Sequence, residues 1–301
     1  MSLETDEIEI DGQTVYNQSA EQFPKTLPSD IDLVLTSPPY WDLKDYNNEN
    51  QIGQESYEEY LDRMETIWEN CYENTSEDAL LIIIVNSRRR NKKFYDIPAD
   101  ISRNAGNWNL IEKMTWFKPN AMPISHWYKD SLYDDKKEEI LIFAKNHNYE
   151  YTFNKIRVEQ KYKDVDPRDN KDKKGRGIPN IIRCPSYKPP KISEGNYHIA
   201  AFPDRLAYAL TYTYSNPGDK ILDPFLGSGT TLKIARHTDR NGFGIELNPD
   251  YIDLIEERIK EDFKFPAWEE FDLLHDPDKI DPVDTREERR EGQDSSLSDF
   301  N

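Results

Sequence analysis

Residues 220–237, KILDPFLGSGTTLKIARH, leave the fold little freedom. A short apolar strand, KILD, passes through a turn carrying Gly227 and Gly229 straight into a helical stretch beginning at Thr230. Further runs of strand length recur at 31–36 (IDLVLT), 79–86 (ALLIIIVN), 109–118, 138–145 and 241–248. Between them lie amphipathic stretches. In 57–74, Tyr57, Leu61, Met64, Trp68 and Cys71 recur at helical spacing. In 202–215, Leu206, Ala209, Leu210 and Thr213 share a face, and 249–263 opens at Pro249 and aligns Ile252, Ile255 and Ile259. Strand, helix, strand in this order predicts an α/β fold around a parallel sheet with crossovers.

The 301 residues suffice for one large α/β domain with an insertion, or for two modest domains. A net charge of −19 argues, taken alone, against a nucleic-acid partner. The distribution argues otherwise: 151–195 holds 12 Lys/Arg against 6 Asp/Glu, about +6, leaving about −25 elsewhere. A basic segment in an acidic body suits a DNA-facing patch or a solvated loop, and an acidic surface also suits a salt-rich cytoplasm. Cys71 and Cys184 lie far apart and no metal-binding spacing occurs, so no metal is expected. The first ten residues lack the charge and apolar pattern of a secretory signal, and no run reaches the ~18 apolar residues of a membrane helix. A soluble, cytoplasmic protein is the expectation. Residues 8–18 suggest a short strand or hairpin ending before a helical turn at SAEQFPKTL. Periodicity fades from 146 to 195, which reads as an inserted, loop-rich recognition region. The tail from Asp276, with 9 acids and 4 bases, reads as disordered.

The glycine turn sits where α/β sheets bind nucleotide-like ligands, against backbone N–H groups at a helix N-terminus. No Gly-Lys-Ser/Thr follows, so it is not a phosphate loop, and no third glycine completes a dinucleotide fingerprint. Glu246, 23 residues after Asp223 at the end of the next strand, is placed to accept both hydroxyls of a ribose. An adenosine cofactor without phosphates is S-adenosylmethionine.

Upstream, LTSPPYW (35–41) ends a buried strand in a rigid corner. An exocyclic amine of cytosine or adenine is a poor nucleophile, because its lone pair is delocalised into the ring. An enzyme that methylates it must hold the amine with acceptors and so aim the lone pair. Ser37 Oγ and the Pro38 carbonyl, stiffened by Pro39, are such acceptors, and Tyr40 can stack on a base that has left the duplex.

LTSPPYW, together with HIAAFPDRLAYALTYTYSNPGDKILDPFLGSGTT and GFGIELNPDYIDLIEERI, resembles the amino-group DNA methyltransferases, in the arrangement with the catalytic motif upstream of the cofactor motif. The resemblance spans about 14–262 apart from the insertion. It implies a Rossmann-like fold with a mixed seven-stranded sheet and permuted motif order. The catalytic half would be 1–145, the target-recognition insertion 146–195, the cofactor half 196–275 and the acidic tail 276–301. It implies S-adenosyl-L-methionine as cofactor, double-stranded DNA as partner and a possible cognate restriction endonuclease. Ser37, Pro38, Pro39 and Tyr40 would form the catalytic motif. Asp223, Pro224, Phe225, Gly227, Gly229 and Thr230 would form the cofactor loop, with Glu246 on the ribose and Phe202 and Pro203 near the methionine end. Ser19 stands where the family usually has Asp.

The family's cytosine-N4 enzymes typically carry Ser before the two prolines, and its adenine-N6 enzymes Asp or Asn, so Ser37 favours cytosine. Adenine-N6 methylation, a non-catalytic cofactor-binding DNA module, and a protein or RNA methyltransferase remain the alternatives. Trp41 or Trp116 is a candidate second wall for the base, Trp116 equally a strand end. NSRRRNKK (86–93) is either a DNA contact or a solvated loop.

Overall fold

The computed structural model describes residues 6–41, 51–123, 130–148, 150–158, 175–186 and 201–273. The predicted tail and much of the predicted insertion lie outside them.

The chain opens with a hairpin, β1 (Asp6–Ile10) and β2 (Gln13–Asn17), whose turn residues Asp11 and Gly12 both have positive φ, as a two-residue hairpin turn requires. The predicted helical turn at SAEQFPKTL is instead two separate turns, closed by Gln22 N–H on the Ser19 carbonyl and Leu27 N–H on that of Pro24. β3 (Ile31–Thr36) follows, then α1 (Tyr57–Glu73), whose N-terminus is fixed by a reciprocal pair of bonds between Ser56 and Glu59. β4 (Thr75–Val85) leads into a separate hairpin of β5 (Arg88–Arg90) and β6 (Lys93–Tyr95), then α2 (Ile97–Arg103), β7 (Asn109–Phe117) and β8 (Lys137–Ala144). The basic region adds β9 (Arg157–Val158), β10 (Arg176–Gly177) and β11 (Ile181–Arg183). Then come α3 (Asp204–Tyr214), β12 (Lys220–Asp223), α4 (Thr230–His237), β13 (Asn241–Glu246) and α5 (Ile252–Lys260).

Nine strands form one sheet in the order β1-β2-β13-β12-β3-β4-β8-β7-β11. The seven from β2 to β7 are the expected mixed sheet, in which β8 alone runs against its neighbours, and β1 and β11 extend it by one strand at each edge. β12 and β13, late in the chain, lie between β2 and β3, so early and late segments interleave. The buried face of α1, with Tyr60, Met64, Ile67, Trp68 and Cys71, closes one side of the sheet. α3 closes the other through Leu206, Ala207, Ala209 and Leu210. At about 25 cal/mol per Å² of apolar surface, burial of side chains this size is the main stabilising term. Because β3 and β12 are adjacent and parallel, Ser37 and Pro224 leave the sheet at the same edge.

Candidate active site

At that edge Ser37–Tyr40, the Pro224–Gly227 turn and Glu246 line one open cleft, together with the 18–20, 51–52 and 247–251 segments. The two motifs are joined beneath it by Asp223. Its carboxylate is buried and accepts from Thr36 Oγ1 at 2.6 Å, Thr231 Oγ1 at 2.6 Å and Phe225 N–H at 3.0 Å. Burial pushes its pKa up to about 6 against the pull of those donors. Thr36 immediately precedes Ser37, so the Asp223 side chain, holding three donors from the protein itself, sets the offset between corner and turn.

The corner is held from both sides. Tyr60 on α1 donates its hydroxyl to the Pro39 carbonyl at 3.1 Å. Tyr40 donates its own to Glu138 Oε2 at 3.0 Å, and Glu138 also takes Lys118 Nζ at 2.7 Å. Gly53, at φ +110°, brings its backbone so close that a Cβ would sit 2.9 Å from the Tyr40 carbonyl oxygen. Among the described residues, Ser37 Oγ and the Pro38 carbonyl have no hydrogen-bond partner, which leaves the two predicted acceptors available to a ligand.

On the cofactor side, Glu246 Oε2 accepts from Gly227 N–H and Oε1 from Asn248 N–H, both at 2.8 Å. Burial, with the Asp223 charge adding to it, pushes the carboxylate up to about 7. Each oxygen keeps a further lone pair, and Glu246 lines the cleft, so it can take two hydroxyl donors. Pro224 and Phe225 supply an apolar wall. These residues fit an adenosine ligand.

Other predicted positions are buried behind the cleft and do not line it. Gly229 caps α4 at φ +87° with Ile255 packed against it, Thr230 is buried in the first turn of α4, and Phe202 and Pro203 are buried at the start of α3. Neither tryptophan walls the cleft. Trp41 is buried among Tyr57 and Tyr95 with its indole N–H on the Glu55 carbonyl, and Trp116 is buried with its N–H on the Cys184 carbonyl. Cys71 and Cys184 are buried with thiols pushed up by desolvation. Among the described residues no cluster could hold a metal, and no helix is long and apolar enough to cross a membrane.

Sequence reading missed Gln51, Ile52, Asn248 and Tyr251 in the lining, and Arg63, which organises two flanks of it. Arg63 binds both Glu21 carboxylate oxygens at 2.9 and 2.7 Å, which holds that carboxylate below its ordinary range, and donates to the Gln51 carbonyl at 3.3 Å. The helical position of Arg63 was legible, but its loop partners lie 42 and 12 residues away.

A Rossmann-like sheet of this order, with a proline corner and a glycine turn facing each other over one cleft, defines a methyltransferase. The chain belongs to the DNA methylase family of N6- and N4-directed amino-group enzymes, whose family model matches residues 31–257. It is 30% identical over 267 residues to the Type II methyltransferase M.SmaI of Serratia marcescens, covering 77% of this chain and 86% of that one. It is 28% identical over 286 residues to the Type II methyltransferase M.Cfr9I of Citrobacter freundii, covering 84% and 89%. In fold it is similar to the cytosine-N4-specific PvuII DNA methyltransferase, with a TM-score of 0.63 and 18% identity over 84% of this chain and 88% of that one. A Thermus thermophilus protein described as a DNA modification methylase, solved with S-adenosyl-L-methionine, gives a TM-score of 0.54 and 25% identity over 80% and 90%.

Proposed function

We propose that this chain transfers a methyl group from S-adenosyl-L-methionine to the N4 amine of a cytosine flipped out of double-stranded DNA, as the modification half of a cytoplasmic restriction–modification pair whose other half is a cognate endonuclease. One observation carries the reading: Ser37–Tyr40 and the Pro224–Gly227 turn with Glu246 wall a single cleft.

S-adenosylmethionine supplies a sulfonium methyl electrophilic enough for a neutral amine. Glu246 would accept its ribose hydroxyls, and Phe225 and Pro224 would cover the adenine. Ser37 Oγ and the Pro38 carbonyl would accept hydrogen bonds from the two amine hydrogens, turning the nitrogen lone pair out of ring conjugation and toward the methyl. As the N–C bond forms the S–C bond breaks, S-adenosylhomocysteine leaves, and the methylated amine gives up one proton to solvent. Tyr40 would stack on the base, with Glu138 holding its hydroxyl. Such alignment supplies most of the rate gain. The buried, unactivated cysteines take no part. Ser37, in place of an acid or amide, favours cytosine over adenine. The 146–195 segment, basic and rich in loop-forming residues, would read the target sequence.

Nucleoside analysis of DNA of mixed sequence, treated with the full chain and S-adenosylmethionine, tests this. N4-methyldeoxycytidine is expected. N6-methyldeoxyadenosine would overturn the choice of base, and DNA binding without any methyl transfer would favour a non-catalytic recognition module.

A further inference from the structure

Between Asn86 and Tyr95 the chain carries five cations and no acid, in a protein of net charge −19. The structure gives this run a definite shape. β5 and β6 pair antiparallel through a turn in which Asn91 and Lys92 both have positive φ, 49° and 66°. Thr36 pairs with Ile83, so β4 delivers the hairpin to the same sheet edge that Ser37 leaves. The hairpin is fastened to the catalytic corner along its length, with Tyr95 at its base and Arg90 beside its turn packed on the ring of Trp41 at 4.6 and 5.2 Å, one residue after Tyr40. Arg89, Arg90, Lys92 and Lys93 are exposed, and so is Phe94, under the Arg89 guanidinium at 4.6 Å. A solvated loop needs none of this: no such anchoring, no concentration of one sign of charge, and no half-exposed phenylalanine.

We infer that the 88–95 hairpin is a DNA-backbone clamp, placing its cations on duplex phosphates beside the nucleotide that enters the cleft. The inference rests on the amino-methyltransferase reading and adds a contact surface outside the 146–195 insertion. Cations on a ribbon tied to the corner would fix the register of the duplex against Tyr40, while sequence is read elsewhere. An acidic body would repel DNA from the remaining surface and sharpen this docking.

The test is binding of a labelled mixed-sequence duplex by the full chain over a range of salt. Arg89→Gln/Lys92→Gln/Lys93→Gln should flatten the plot of log affinity against log salt by about 0.9 for each phosphate that is no longer neutralised. Lys92→Gln alone, at the turn tip, should flatten it by up to about 0.9. S-adenosylmethionine affinity and Tm serve as controls for folding, and Lys260→Gln/Lys264→Gln, on an exposed surface of the α5 region, should leave the slope unchanged. Wild-type transfer with the same salt slope in wild type and both hairpin variants would overturn this inference alone. A wild type that neither binds duplex nor transfers methyl would overturn the underlying reading and this inference with it.

Discussion

Replacing Thr36 by Val removes one hydroxyl from a buried cluster and almost no volume. Thr36 is fully buried, and its Oγ1 donates at 2.6 Å to Asp223, which Thr231 and the Phe225 N–H also serve. A hydrogen bond to a charged group contributes about 1.5–3 kcal/mol. Unfolding entropy of about 2.1 cal/mol/K per residue, over 301 residues, converts that to a Tm lower by about 2–5 °C. The cost should depend on pH. Asp223 ionises at an ordinary 3.8 unfolded and about 6 folded, so the folded state is the better proton binder between those values and loses stability as pH rises through them. Thr36→Val removes a donor that lowers the folded value, which carries the loss into neutral pH. Thermal unfolding of Thr36→Val, Asp223→Asn and the double variant at pH 5 and 8 measures the coupling. Thr36→Val should cost less at pH 5 than at pH 8, with a coupling to Asp223→Asn of about 1 kcal/mol or more. Additive costs, or equal costs at both pH values, would refute this.

Glu246→Gln should weaken S-adenosylmethionine binding by roughly 10- to 100-fold in calorimetry, since it trades charged acceptors for neutral ones. In the wild type the hydroxyl donors would favour the ionised carboxylate, so affinity should fall as pH drops below about 7, with a proton released on binding there, and Glu246→Gln should abolish that dependence. Tyr40→Phe keeps the ring and gives up the bond to Glu138, so kcat should stay within about tenfold of wild type. Tyr40→Ala removes base stacking and should cost roughly 10- to 100-fold in kcat/KM. Gly53→Ala forces a Cβ toward the Tyr40 carbonyl from a positive-φ backbone, and should lower stability by about 1–3 kcal/mol in denaturant titration and reduce kcat with it.

The central strands were legible because burial on both faces writes them as short, largely apolar runs bounded by turn residues, and IDLVLT and KILD coincide with β3 and β12 end to end. The edges were harder to read. β11 is three residues in a Lys- and Pro-rich stretch, and only its pairing with β7 makes it a strand. The 88–95 hairpin reads as a charged loop, since its strands bury almost nothing. Pro249 opens a short 3-10 turn capped by Asn248 before α5 begins at Ile252, a choice of local hydrogen bonding that periodicity does not register. In the site, the motifs located the corner, the turn and Glu246. Which motif residues face the ligand and which brace it depends on tertiary packing. Asp223 turned inward to Thr36 and Thr231, and Trp41 and Trp116 were claimed by the interior. Arg63 and Tyr60 act through loops distant in sequence, where no local pattern points to them.

Labour would be divided across one cleft, with the proline corner aligning the amine and the glycine turn with Glu246 holding the cofactor. Single-turnover methyl transfer by Ser37→Ala, with S-adenosylmethionine affinity measured on the same sample, tests it most directly. Affinity within about twofold of wild type, with transfer slowed by roughly 100-fold or more as expected for removal of one positioned acceptor, is the predicted result. Transfer at the wild-type rate, or a loss of cofactor affinity large enough to account for the slower transfer, would contradict it.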